Sequence, residues 1–280
     1  MTPFSFTLLV IGISIFAGLL GSLVGVGGGV IVVPALSLFL GVDIRASIAA
    51  SIIAVVATSN GAASGYVRQR LTNLRLAMLL ETATAAGALC GATLAVYIPG
   101  RGLYLLFSMV LAYTAWSMSR PKPQDSAVPS GLPTDSWAQR LKLDGSYFDK
   151  ALQKEVTYRV SRTKLGLVVS YAAGALSGLL GIGGGVLKVP VMNLAMGIPI
   201  KACTATSNFM IGVTAATGAA VYFTRGDVLP FVAAPVAVGV LLGAKIGSRL
   251  LGYIESHWIR VAFVAVMVVS AIQMFWRAIA

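Results

Sequence analysis

The chain alternates long apolar stretches with short polar ones, and the stretches have two lengths. Runs near 20 residues lie at Phe4–Val24, Ala46–Val67, Leu76–Ile98, Leu103–Met118, Leu165–Leu180, Ala202–Phe223, Val228–Leu251 and Ile259–Phe275. Each is long enough to cross a bilayer as a helix, which takes roughly 17 to 25 residues. Two shorter runs, Val30–Val42 and Val186–Ile198, fall below that length. Each follows a glycine cluster at the end of a long run: GVGGGVIVVP at Gly25–Pro34 and GIGGGVLKVP at Gly181–Pro190. The pattern predicts about eight long helices and two glycine-broken or re-entrant segments.

Composition agrees. Hydrophobic residues make up 57% of the chain and charged residues 11%, against roughly 25% charge in a soluble domain. The expected class is an all-α polytopic membrane protein, surrounded by lipid. The first basic residue is Arg45, so no basic segment precedes the first apolar run and a cleaved signal peptide is not expected. Cys90 and Cys203 lie in or beside apolar runs and read as packing residues. The single histidine, His257, gives no basis for a His-rich metal site. No cofactor is implied.

The glycine clusters are not nucleotide loops. A dinucleotide fingerprint needs a sixth-position glycine, where this chain has Val30 and Val186. A phosphate loop needs Gly-Lys-Ser/Thr, whereas Lys188 stands between Leu187 and Val189. The net charge of +12 does not point to nucleic acid either. Arg68, Arg70 and Arg75 share one loop, and nine Lys or Arg fall between Arg120 and Lys164. That clustering is what the positive-inside rule produces.

The chain also repeats itself. Gly27 and Gly183 are 156 residues apart, and the same offset joins Gly18 to Gly174, Pro34 to Pro190, Gly41 to Gly197, Arg45 to Lys201, and Gly87/Gly91 to Gly243/Gly247. Two homologous membrane halves are a transporter signature. The expected division is residues 1–119, a cytoplasmic connector at 120–164, and residues 165–280. Within the connector, LKLDGSYFDKALQKEVTYRV has an Asp-Gly turn and partial alternation, which fits a small hairpin. If the halves are inverted, about 16 Lys and Arg lie inside against about 4 outside; if they are parallel, about 14 against 6. The count favours inversion.

Non-helical backbone survives at membrane depth only where protein encloses it or it lines a polar cavity. Gly27-Gly28-Gly29 and Gly183-Gly184-Gly185 suit such a break, because without Cβ atoms they bend freely and bring N–H groups close to a ligand. Pro34 and Pro190 are expected early in the short helices that follow. Gly87-x-x-x-Gly91 and Gly243-x-x-x-Gly247 read as close helix packing.

The duplicated G-x-G-G-G-x-x-x-V-P elements, followed by Gly41 and Ala46 or by Gly197 and Ala202, resemble the sulfite exporter TauE/SafE family. The resemblance covers both halves and leaves the connector as a variable insert. It implies a polytopic inner-membrane permease that exports sulfite, sulfoacetate or a related sulfur-containing anion.

Several polar residues interrupt the apolar runs. Lys188, three residues after a glycine triplet, answers to Val32 in the first half, so the fold itself does not require a lysine there. A bound anion would offset the cost of a cation near a helix N-terminus; snorkelling to an interface is the structural alternative. Thr58-Ser59-Asn60 and Thr206-Ser207-Asn208 repeat one tripeptide at a spacing of 148 residues, out of register with the repeat. Asn60 and Asn208, with Ser59 and Ser207, are candidates to hydrogen-bond an oxyanion, while Thr58 and Thr206 read as interhelical contacts. Glu81 lies roughly 7 Å into its span. It is expected to pair with Arg75, with transfer of a coupling proton as the alternative. Trp116, Trp258, Trp276, Tyr97 and Tyr253 read as interfacial anchors.

The expectation is a secondary transporter, not an enzyme, with a small anion and the lipid bilayer as partners. Its site lies between the repeats at the two glycine triplets, Lys188, Asn60, Asn208, Ser59 and Ser207, with Glu81 a weaker coupling candidate. A passive anion channel and a membrane sulfur-handling module are the rivals, and homo-oligomerisation is left open.

Overall fold

A computed structural model of the chain describes residues 3–24, 27–119, 135–149, 153–250 and 256–279. The helices are α1 (Pro3–Val24), α2 (Gly29–Pro34, continued by a π-helical turn Ala35–Phe39), α3 (Ile44–Arg68), α4 (Leu74–Leu94), α5 (Gly100–Ser119), α6 (Ser136–Arg140), α7 (Thr163–Leu180), α8 (Gly185–Leu194), α9 (Ile200–Thr224), α10 (Pro230–Leu250) and α11 (Ser256–Ile279). Strands β1 (Gly145–Asp149) and β2 (Lys154–Tyr158) pair antiparallel. Of the long helices, α1, α3, α4, α7 and α10 are long and apolar enough to span a bilayer. This is an all-α membrane architecture with one small hairpin.

Local sequence sets the element ends. Asp43 accepts from the backbone N–H groups of Arg45 and Ala46 and starts α3, and Asn73 accepts from Leu76 N–H to start α4. The run read as Leu76–Ile98 ends as a helix at Leu94, short of Pro99. Pro34 and Pro190 are each the sixth residue of their helix, not early as expected. A proline there removes a ladder hydrogen bond, and after Pro34 the helix widens into the π turn.

Packing is set by small residues. A Cβ on Gly87 would meet Tyr171 O, one on Gly91 the carbonyl of Ala175, and one on Gly243 the carbonyl of Ile15. Backbones therefore touch along α4–α7 and α1–α10, as expected for these motifs. Contacts advance in step along both chains, so α4 runs parallel to α7 and α1 parallel to α10. In contrast, Ser59 Oγ donates to Asn208 O while Gly218 faces the Ile52 side chain, so α3 crosses α9 antiparallel. Helices α5 and α11 pack on each other.

The glycine clusters reverse the chain. Gly181, Gly183 and Gly184 all have positive φ (69°, 78° and 70°), which favours glycine. Gly184 returns to the level of Ala173, halfway down α7. Past α8, Met196 O accepts from Ser161 N–H at 3.1 Å, so the segment ends where α7 began. In the first half Gly28 likewise lies against Ala17 of α1.

The connector hairpin forms, but Asp144-Gly145 is not its turn. The Asp144 carboxylate accepts from Val160 N–H at 2.8 Å and pins the open end instead. Ala138, Leu143, Tyr147, Tyr158 and Val160 pack against Leu76, Met192 and Met196, closing one end of α4, α8 and α9. Asp135 accepts from the Trp137 and Thr163 N–H groups, and these bonds hold its carboxyl below the usual range.

Candidate anion site

The two breaks approach each other at the α3–α9 crossing. Gly27 (φ 84°) sits between the Val55 and Ile211 side chains, and Gly29 lies against Gly181 O. Ser51 Oγ donates to that same carbonyl at 2.8 Å. All six glycines of the triplets are buried.

Lys188 projects from the fourth residue of α8 and is 2% exposed. Its Nζ donates to Thr214 Oγ1 of α9 at 3.2 Å. That hydroxyl is 2.8 Å from Glu81 Oε1 of α4, to which it donates, and Thr84 Oγ1 is 2.9 Å from Glu81 Oε2. Glu81 is 7% exposed and Thr214 fully buried. A cation and an anion from opposite halves of the chain are thus joined through one hydroxyl, away from lipid and water. Such a pair persists only if each charge keeps its partner, since a lone buried charge is heavily penalised.

One expectation is corrected here, and one alternative is set aside. Glu81 does not pair with Arg75; the Arg75 guanidinium donates to Lys142 O in the connector at 3.2 Å. Burial of α4 against α7 and α9 turns Glu81 inward. Lys188 does not snorkel, because the first turn of α8 begins at mid-depth on α7 and its stem passes close to Gly184.

The repeated tripeptides separate. Asn208 is fully buried; its Nδ2 donates to Ser22 O at 3.4 Å, and its Oδ1 has no partner among the described residues. Ser59 and Ser207 are buried beside the crossing, whereas Asn60 is exposed and does not join the others. Thr206 Oγ1 accepts from Asn73 N–H at 3.0 Å, a contact between a helix and a loop. Trp116, Tyr97 and Trp276 are exposed, as anchors would be. The connector's first part, Tyr253 and the side chains of His257, Trp258 and Arg260 lie outside the described residues.

Thr214 and Thr84 were not singled out in the sequence. Thr84 carried a usable signal, one helical turn from Glu81. Thr214 carried only its register match to Thr58. The counterparts of Lys188, Thr214 and Glu81 in that register are Val32, Thr58 and Ala237. Among the described residues Thr58 bonds only its own helix, at Ala54 O. The charged cluster therefore occurs once. Among the described residues no group of three His, Cys, Asp or Glu could hold a metal ion.

A family model described as sulfite exporter TauE/SafE matches residues 10–274. The chain belongs to this family. It is 24% identical to the probable membrane transporter protein YunE of Bacillus subtilis (strain 168), over 98% of this chain and 99% of that protein. A probable membrane transporter protein of Xylella fastidiosa (strain 9a5c) is 25% identical over 93% of each chain. A third relative, the probable membrane transporter protein YdhB of Bacillus subtilis, is 22% identical over 86% of this chain and 89% of its own length. No solved structure gives a significant match. Membership makes this TauE/SafE chain a multi-pass membrane transporter.

Proposed function

We propose that the protein is a secondary carrier of a small sulfur-containing oxyanion, such as sulfite or an organosulfonate. It moves the anion across the inner membrane by alternating access at a site between two inverted repeats. The observation that carries this reading is Lys188, a buried cation in the first turn of a glycine-led half-helix. Its ammonium, the Thr214 hydroxyl and the backbone N–H groups at Gly184–Gly185 are suited to oxyanion oxygens. The family's description as sulfite exporters supports the choice of cargo.

The inverted arrangement draws support from packing. Tyr66 Oη donates to Ser22 O at 3.2 Å, and Tyr222 Oη donates to Gly178 O at 2.9 Å. Both members of the first bond map to the second at an offset of 156 residues. The α1–α10 and α4–α7 pairs, and the self-related α3–α9 and α5–α11 pairs, are what a two-fold axis in the membrane plane would generate. If α7 crosses and α8 returns, each half passes an odd number of times and the halves are inverted. Residues 1–119 and 165–280 are then the repeats. The 120–164 connector and the Arg68–Arg75 loop share the cytoplasmic face.

Purified protein in liposomes should move one or more of sulfite, sulfate, thiosulfate, sulfoacetate and small carboxylates. Saturation and counterflow identify a carrier; linear flux without counterflow identifies a channel. Absence of flux for the whole panel would defeat the reading.

A further inference from the structure

The Lys188–Thr214–Glu81 cluster contains a carboxylate that an anion site does not need. An anion-binding lysine is served by hydroxyls and N–H groups, and a carboxylate beside it competes with the cargo. We propose that Glu81 is the site's proton carrier and that Lys188 exchanges partners, holding ionised Glu81 when empty and the cargo when Glu81 is protonated. This rests on the carrier reading above and adds to it a co-transported proton and a cargo with a single negative charge.

Charge balance is the argument. With Glu81 ionised and no cargo, the buried site holds one cation and one anion. With Glu81 protonated and a monoanion on Lys188, it again holds one of each. The mixed states, an empty site with protonated Glu81 or a loaded site with ionised Glu81, leave a net charge away from water and are disfavoured. Only the two neutral states can pass through the closed conformation, so one proton crosses with each monoanion. The proton moves from water on one side to a Glu81 carboxylate oxygen and is released from that oxygen on the other. No bond in the cargo changes.

The surroundings leave Lys188 as the one ionised group facing Glu81 among the described residues. Helix α8 contributes Lys188 and α9 contributes Thr214. On α7, Tyr171 Oη donates to Cys90 Sγ, and Lys164 lies over the Trp137 ring at the helix start. At the far end of α9, Arg225 is held by Ala92 O and Asp227. Arg75 and Asp144 are taken by the connector. The geometry also offers a switch: Thr214 has one hydroxyl hydrogen, given to Glu81 while the carboxylate is ionised. A protonated Glu81 has no need of it, and Met210 O, 3.1 Å away, is the alternative acceptor.

The test uses methanesulfonate, whose single charge does not change in the working range, with sulfite as a second probe. Methanesulfonate binding to the purified protein should tighten about tenfold for each pH unit lowered through the titration of Glu81. In proteoliposomes an inward methanesulfonate gradient should acidify the lumen, and an imposed membrane potential should leave the rate unchanged. Glu81→Gln should bind with an affinity that does not vary with pH, and its flux should no longer acidify the lumen. Anion flux without lumen acidification, or flux driven by the potential, overturns the coupling and leaves the carrier reading intact. No flux of either probe at any pH, with flux of another anion of the panel, overturns the coupling alone; no flux of any of these anions overturns both. The wild-type proton measurement decides the matter even if Glu81→Gln fails to fold.

Discussion

Ser51 Oγ donates to Gly181 O at 2.8 Å, which ties α3 of the first half to the point where α7 unwinds in the second. Gly29, at the start of α2, lies against the same carbonyl. The two breaks are therefore one assembly. The glycines in it are not equivalent. Gly184 has φ 70°, and a Cβ there would lie 2.9 Å from Ala173 O and 3.3 Å from Lys188 Cε. Gly28 has φ −67°, ordinary for any residue, and its Cβ would meet Ala17 O at 3.3 Å. Gly184→Ala should therefore cut transport at least about tenfold through backbone strain at a special φ, while Gly28→Ala retains most activity. Valine at either position should abolish it, with membrane insertion preserved. Uptake in proteoliposomes beside a quantified membrane fraction checks all four variants.

The Tyr66 and Tyr222 bonds give a test of the repeat that does not depend on cargo. Each phenol satisfies a carbonyl near the end of a broken helix, and each ring is buried. Removal of either hydroxyl should cost about 1 kcal/mol, the net worth of one buried hydrogen bond. Tyr66→Phe and Tyr222→Phe should lower thermal stability by similar amounts, and the double variant by their sum. Strongly unequal losses would argue against equivalent positions.

Much of this arrangement was legible in the sequence, and what was not has a physical reason. The long helices, the duplicated glycine breaks and the anomaly at Lys188 follow from local pattern. The partner of Lys188 did not, because Glu81 reaches it only after α4 packs on α7 and α9. Sequence proximity suggested Arg75, but the connector claims that guanidinium. The tripeptides misled in a different way. Their spacing of 148 residues falls eight short of the repeat, and eight residues rotate a helix by about 80° beyond two turns. Asn60 therefore cannot face the direction that Asn208 faces, and it ends exposed. The hairpin was legible from alternation, but its turn was not, since Asp144 is used as a side-chain acceptor.

Orientation can be read by labelling. Arg225 bonds Ala92 O near the end of α4, and Arg45 bonds Ile98 O just before α5, which puts Arg225 and Arg101 toward one face. Arg75 bonds the connector at the opposite face. In a background lacking Cys90 and Cys203, cysteines at Arg101 and Arg225 should react with an impermeant maleimide from outside. Cysteines at Arg70 and Gln139 should react only after permeabilisation. Outside labelling of Arg101 but not Arg225 would support parallel halves and defeat the inverted arrangement.

Lys188 can be separated from its structural role by pairing substitutions. Lys188→Met keeps the bulk of the stem and removes the ammonium, so anion transport should fall at least about tenfold, or roughly 1.4 kcal/mol where binding limits the rate. The same change leaves Glu81 buried beside Thr214 without a counter-charge. Breaking one side of a buried pair typically costs about 3 to 5 kcal/mol, so Lys188→Met should unfold more readily than wild type at high pH. The deficit should shrink as pH falls, because a protonated Glu81 needs no cation. Adding Glu81→Gln to Lys188→Met removes the orphaned charge and should recover part of the lost stability at high pH. It should recover none of the transport, since no cation remains for the anion. Lys188→Arg should keep partial activity, limited by a planar head group in a space shaped for an ammonium. Thermal unfolding and methanesulfonate uptake, measured together on the single and double variants, form a cycle whose coupling should be large for stability. If Lys188→Met transports at the wild-type rate, the ammonium is not the anion's ligand. The half-helix N-termini would then be the remaining elements able to hold one.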